Sequence, residues 1–438
     1  MPRSCDSSRR RSAAHCRIPA RGGVRVFLGE ARLRQHWFRS CRWTPLVWLS
    51  AACWACGGGG GGPPPFTMTN AIVVADLNGD GAVDLAAAQS YFAGPAPHQG
   101  HVSVLLADNG NRGRFLPARD YPVGADPLAL AAGDFNTDGV PDLVATSAPC
   151  EFVAGRCDVP EGLSLLIQDS EHRGEFQPAA QLPTQARPVH VSVGDLNGDG
   201  LADIAVADAM LSLLIQEQAP PATFGTVTVG MRCDSVALGD LNADGASDIV
   251  CAGSDLVRVA FQARASGGFL SPIELVAGAQ PLFAAIADLN GDALPDIIVA
   301  NYGSPDGAVH STLSILLQEP AGGGVFLPHH DYPTNTPRAI EVVVADLNGD
   351  GRPDVVVANS GSLAEAGSLA VFLQSPAGSG ALLPATTYTI AAVVTAVAVG
   401  DLNGDGRLDL VAGGSDGVEV LFQTQGTPGA FAAPVRVH

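Results

Sequence analysis

Asp76-Leu77-Asn78-Gly79-Asp80-Gly81-Ala82-Val83-Asp84 decides how this 438-residue chain is read. The stretch returns as Asp134-Phe135-Asn136-Thr137-Asp138-Gly139-Val140-Pro141-Asp142. It begins again at Asp195, Asp240, Asp288, Asp346 and Asp401, with spacings of 58, 61, 45, 48, 58 and 55 residues. Seven copies of one nine-residue pattern make a repeat, and repeats of this period build solenoids or propellers.

Within the motif, positions 1, 5 and 9 are Asp and position 3 is Asn in all seven copies. Position 6 is Gly except at Ala293. Gly there allows a sharp turn without a Cβ clash. Position 7 varies freely, as expected if only its carbonyl is used. Oxygens at alternating positions of a tight loop suit Ca²⁺, which takes 6–8 oxygen ligands, and oxygen-only sets favour it over transition metals. The candidate ligands are therefore Asp76, Asn78, Asp80, Ala82 and Asp84; Asp134, Asn136, Asp138, Val140 and Asp142; Asp195, Asn197, Asp199, Leu201 and Asp203; Asp240, Asn242, Asp244, Ala246 and Asp248; Asp288, Asn290, Asp292, Leu294 and Asp296; Asp346, Asn348, Asp350, Arg352 and Asp354; and Asp401, Asn403, Asp405, Arg407 and Asp409. An EF-hand would need Glu at position 12 on a following helix. Here position 12 is Ala87, Ala145, Val206, Cys251, Val299, Val357 or Ala412, within apolar strand-like segments. A plain Asx turn is the simpler alternative. It gives no reason to crowd three carboxylates seven times.

Outward from the motif, each copy follows one apolar segment and precedes another. A third segment comes next, as in 100–108, 162–169, 311–318 and 417–423. A fourth is introduced by Gly or Ala and usually Phe, as in 113–124, 324–335 and 429–438. Short Val/Ile/Leu-rich runs bounded by Gly, Pro, Asn and Asp read as strands. Four strands per repeat predict an all-β fold: a seven-bladed β-propeller of four-stranded antiparallel blades. The blades fall at 69–124, 125–187, 188–231, 232–279, 280–336, 337–392 and 393–438, within a domain at 67–438. No strand need be borrowed across the ring.

The repeats resemble FG-GAP/VCBS repeats, as in the N-terminal propeller of integrin α chains, over about 69–438. That resemblance implies a loop between the first two strands of each blade holding Ca²⁺, up to seven ions in all. It also implies an extracellular role in adhesion, scaffolding, or protein or glycan binding.

Composition agrees. Gly (52) and Pro (32) are abundant and aromatics are 6% of residues, which suits many short strands and tight turns. The 11 Arg of residues 1–43 face only Asp6 and Glu30; the remainder carries 13 Arg against 42 acids, a net −29. Such a body repels nucleic acid and attracts cations. Seven Ca²⁺ would reduce its charge to −15. Residues 1–56 read as an export signal, with basic residues before a short apolar run, and 57–66 as a Gly/Pro tether. Leu49-Ser50-Ala51-Ala52-Cys53 resembles a bacterial lipoprotein signal, with Cys53 as the lipidated residue and the membrane engaged only through that anchor. In an oxidising compartment Cys150–Cys157 and Cys233–Cys251 are candidate disulfides, with buried thiols as the alternative.

In an up-and-down blade the loops joining strands two and three lie on the face opposite the Asp loops. They are long in blades 1, 2, 5 and 6 and carry Tyr91, Phe92, His98, Phe152, Tyr302, Asp306 and His310. Variable loops on a rigid scaffold suit partner binding. No nucleophile or metallohydrolase motif is present, and the conspicuous carboxylates belong to the repeat. The first functional expectation is a calcium-binding extracellular module. The alternative is a carbohydrate-active lyase or hydrolase with a central pocket.

Overall fold

The computed structural model describes residues 66–438 except 93–98, 148–161, 209, 219–221, 254, 264–267, 305–308, 362–364, 377 and 391–392. Cys53, His98, Phe152, Asp306 and the pair Cys150 and Cys157 lie outside the described residues.

The described residues form seven four-stranded antiparallel sheets, each built from strands taken in chain order. The innermost strands are Phe66–Ala75, Leu130–Gly133, His190–Gly194, Ser235–Gly239, Pro281–Ala287, Ala339–Ala345 and Val394–Gly400. Each pairs with a second strand that begins at the motif's last Asp, so that Ala75 stands opposite Asp84 and Gly400 opposite Asp409. The first strand starts at Phe66, paired with Phe92. Blade 4 adds a small hairpin, Gln262–Ala263 with Gly268–Phe269, where five other blades make a single bridge such as Gln168 to Phe176. The Phe that introduces the fourth segment thus anchors a hairpin, and the outer strand begins a few residues later, as at Arg119–Val123.

Second and third strands are buried on both faces, which accounts for their continuous Val/Ile/Leu/Ala runs. The core divides into seven apolar clusters, each joining two neighbouring blades. Leu77 and Ala86 of blade 1 share one with Leu143 and Leu166 of blade 2. Val411 and Val420 of blade 7 share another with Leu85 and Leu105 of blade 1, so the ring closes without an exchanged strand. Outer-strand tyrosines reach across the same gaps. Tyr388 meets the edge of Phe431, ring centroids 5.6 Å apart, and accepts the Phe431 N–H.

Candidate metal site

The loop geometry is the same in all seven blades. Positions 4 and 6 both have positive φ, from Gly79 (72°) and Gly81 (86°) to Gly404 (66°) and Gly406 (81°). Thr137, Ala243 and Ala293 hold that conformation without being glycine. The double left-handed turn aims successive N–H groups inward. Asp at position 1 accepts the position 6 N–H in every loop, for example Gly81 N–H to Asp76 Oδ2 at 2.8 Å. Asp at position 5 accepts the position 7 N–H, as Ala82 N–H to Asp80 Oδ1 at 2.8 Å.

Asp at position 9 has a second task. It is buried in all seven blades, and both its oxygens accept backbone N–H groups. Asp84 Oδ2 takes Leu77 N–H at 2.9 Å and Oδ1 takes Ala107 N–H at 2.7 Å, at the end of the third strand. The same pair of bonds recurs at Asp142, Asp203, Asp248, Asp296, Asp354 and Asp409. This carboxylate fixes the loop to its own blade.

In six blades the residue donating that last N–H is Gln: Gln168, Gln216, Gln262, Gln318, Gln374 and Gln423. Its side-chain amide donates to the position 2 carbonyl of the preceding blade's loop, as Gln318 Nε2 to Leu241 O at 3.0 Å. Six of the seven loops are thereby tied to the next blade. The clasp was readable in the sequence as the Gln closing the third segment, in LLIQ, LLQ and LFQ, but a lone Gln after an apolar run carries no directional signal.

Among the described residues, no three His, Cys, Asp or Glu side chains gather closely enough to hold an ion as they stand. The loops nonetheless fit a hard cation on two observations. Burial pushes Asp84, Asp142, Asp296 and Asp409 up to about 6, against the pull of their two amide bonds, and the Asp at positions 5 and 1 push further upward. The same causes raise Asp203, Asp248 and Asp354. Three carboxylates thus repel one another in every loop. The second observation is that the outer oxygen of position 5 is met by a substitute donor in six loops. These are the side-chain amides of Asn109, Asn136, Asn197 and Asn290, and the guanidinium groups of Arg352 and Arg407. In blade 7, Asn403 Oδ1 is buried with no partner.

Cys233 and Cys251 are bonded across the strands flanking the fourth loop, with Cα atoms 5.2 Å apart. On the opposite face, Tyr91 and His310 are exposed. Phe92 lies in a strand; its side chain is outside the described set. Tyr302 departs from the expected open surface. It is half-buried against the cluster between blades 6 and 7, its N–H is bonded to Gln280 O at 2.9 Å, and burial raises its phenol. His329, His330 and Asp331 lie on the outer edge of blade 5, and His329 pairs with Asp331 at 2.9 Å.

The FG-GAP-like repeat family matches residues 76–145, 151–206, 240–299, 288–357 and 346–412. Among curated proteins no sequence relative was found. Among solved structures, BBS1N in complex with ARL6DN aligns with TM-score 0.52 and 15% identity, over 83% of this chain and 94% of that one, in both lead-soaked and mercury-soaked crystals. An Agrocybe aegerita lectin specific for non-reducing terminal N-acetylglucosamine aligns at TM-score 0.37 and 19% identity, over 86% and 81% of the two chains. At 15% identity the likeness to BBS1N shows the fold alone. With five matched segments spread around a closed ring of seven blades, the chain belongs to the FG-GAP-like repeat family of β-propellers.

Proposed function

We propose that this propeller is a calcium-stabilised binding module that scaffolds a protein partner outside the cell. The observation that carries the reading is the sevenfold recurrence of mutually repelling carboxylates at the bend of each first hairpin. In each loop the side-chain oxygens of positions 1, 3, 5 and 9 and the position 7 carbonyl would hold the ion. The oxygens of position 9 each keep a lone pair beyond their one amide bond. Bound Ca²⁺ supplies the positive charge that the loop lacks and ties its two strands together.

Partner binding follows from the shape of the scaffold. Seven inter-blade cores make a rigid support, and the long loops opposite the Asp face vary in length and sequence. BBS1N, similar in fold, is seen in complex with ARL6DN. Export accords with the basic-then-apolar run at 39–56 and with the Cys233–Cys251 bond, since disulfides persist in oxidising compartments. Cys53 is the proposed site of a lipid anchor.

Calorimetric titration of the chelator-treated chain should show oxygen-ligand binding of Ca²⁺ at several loops, with a melting temperature raised by Ca²⁺ and lowered by EDTA. A photo-crosslinker at Tyr91 or His310 should yield one defined protein adduct at the cell surface, lost in EDTA. Loops that stay empty at millimolar Ca²⁺, with no thermal shift, would sink the metal reading.

A further inference from the structure

Blade 7 meets blade 1 differently from every other pair. At the clasp position blade 1 carries Ala107, which has no amide to reach Leu402 O. The two blades instead meet through Arg112, whose Nη1 donates to Gly404 O at 3.1 Å, and through Thr395, whose hydroxyl donates to Thr69 O. A cavity of about 580 Å³ opens here, lined by Arg112, Arg114, Phe115, Asn403, Phe422 and Arg436 among others.

Among the described residues no Asp or Glu lines that cavity. That is notable in a body with 42 acids and 13 arginines, three of them here. Elsewhere Arg119, Arg258, Arg352 and Arg407 are paired with acids. Among the described residues Arg112, Arg114 and Arg436 form no ion pair with an Asp or Glu side chain. Asp108 lies near Arg114, and Glu419 stands opposite Arg436 across the sheet, yet neither closes on its neighbour. Arg436 Nε donates to His438 O at 3.3 Å. Most guanidinium donors of the cleft therefore face solvent.

We propose that the seam between blades 7 and 1 is an anion site that takes an acidic peptide segment of the partner. The proposal rests on the module reading above and adds to it a second contact, on the Asp-loop side of the ring beside Asn403, away from the loops of the opposite face. Guanidinium forks bind carboxylates in pairs, and clusters of them recognise acidic motifs. Phe115 and Phe422 give the segment an apolar wall. The surrounding net negative charge disfavours a long polyanion and admits a short one.

The test uses the full chain with Ca²⁺ and fluorescein-labelled hexaglutamate, read by anisotropy at low and moderate salt. Hexaglutamate should bind, more weakly as salt rises, and hexaglutamine should not. Arg114→Gln combined with Arg436→Gln should weaken binding at least about tenfold at unchanged melting temperature, a loss of about 1.4 kcal/mol. Arg232→Gln, at an exposed site outside the cleft, should change nothing. Absence of hexaglutamate binding, or binding indifferent to the double variant, overturns the proposal. So does preferential binding of trigalacturonate, which would make the occupant an acidic glycan. If hexaglutamate fails while the Tyr91 or His310 adduct persists, the seam assignment falls and the module reading stands.

Discussion

At the residue scale, the loop depends on backbone conformation more than on space. A Cβ added at Gly81, Gly139, Gly200, Gly351 or Gly406 meets nothing within 4 Å, yet all have φ between 81° and 86°. The penalty for a side chain there is conformational, about 1–2 kcal/mol for a non-glycine residue in the left-handed region. Ala293, at φ 67°, bears it. Ala293→Gly should therefore stabilise the chain by about 1 kcal/mol in chemical denaturation, and Gly351→Ala should cost about as much. Equal stabilities across these variants would show that the loop relaxes around its side chain. Position 6 was legible in the sequence because six of seven copies are Gly. The matching demand at position 4 was blurred by Thr137 and Ala243, which adopt φ of 60° and 58°. The buried role of the position 9 Asp was hidden for another reason. The sequence shows an acid in an Asp-rich loop and does not show that two amides from separate elements converge on it.

At the scale of elements, strands and their order were legible because four apolar segments and their turn residues repeat in phase. How the inner strands satisfy their free edges was not, since the solution differs between blades. Side chains from one inner strand accept N–H groups of the next: His190 Nδ1 from Val236 at 3.4 Å, Ser235 Oγ from Ala284 at 3.2 Å, and Glu341 Oε2 from Val397 at 2.8 Å. An edge strand's unpaired donors need such partners. Glu341 does this at a cost. Its position within the ring pushes its carboxyl up to about 8, against the pull of the Val397 N–H, with no charged group contributing. Folded chains then hold a proton that unfolded chains release above the ordinary value of 4.5. Stability should fall as pH rises from about 4.5 to 8, by at most about 1.4 kcal/mol per unit, and level off above. Glu341→Gln keeps an acceptor for Val397 and carries no charge. It should be more stable than the parent by a margin that grows across that window and vanishes near pH 4. Calcium-loaded protein melted at several pH values checks this, and a margin independent of pH would contradict it.

For the whole molecule, ring closure is the one junction without the side-chain clasp. Six junctions carry the Gln clasp, and each clasp joins the last Asp of one loop to the backbone of the loop before it. The Gln318 side chain crosses to Leu241 O at 3.0 Å and is held within its own blade by donating to Pro295 O at 2.8 Å and accepting the Gly324 N–H at 3.1 Å. The seventh junction joins the two ends of the domain and has Ala107. It is held by the cluster around Val411, Val420 and Leu85, by Arg112 and by Thr395. The inner strands of this junction nonetheless pack more extensively than those of any other, so the missing clasp and the strand packing act in opposite directions here. Hydrogen exchange in Phe66–Ala75 and Val394–Gly400 decides between them: fast exchange shows that the clasp governs opening, slow exchange that the packing does. Ala107→Gln places an amide where the other six blades have one, within reach of Leu402 O by the same geometry. It should add on the order of 1 kcal/mol, raise the melting temperature and slow exchange in those two strands together. Gln318→Ala leaves buried partners unmet at an intact junction and should cost about 1–3 kcal/mol. If Ala107→Gln leaves both readouts unchanged while Gln318→Ala lowers stability, the clasp is real but closure is not where the ring yields.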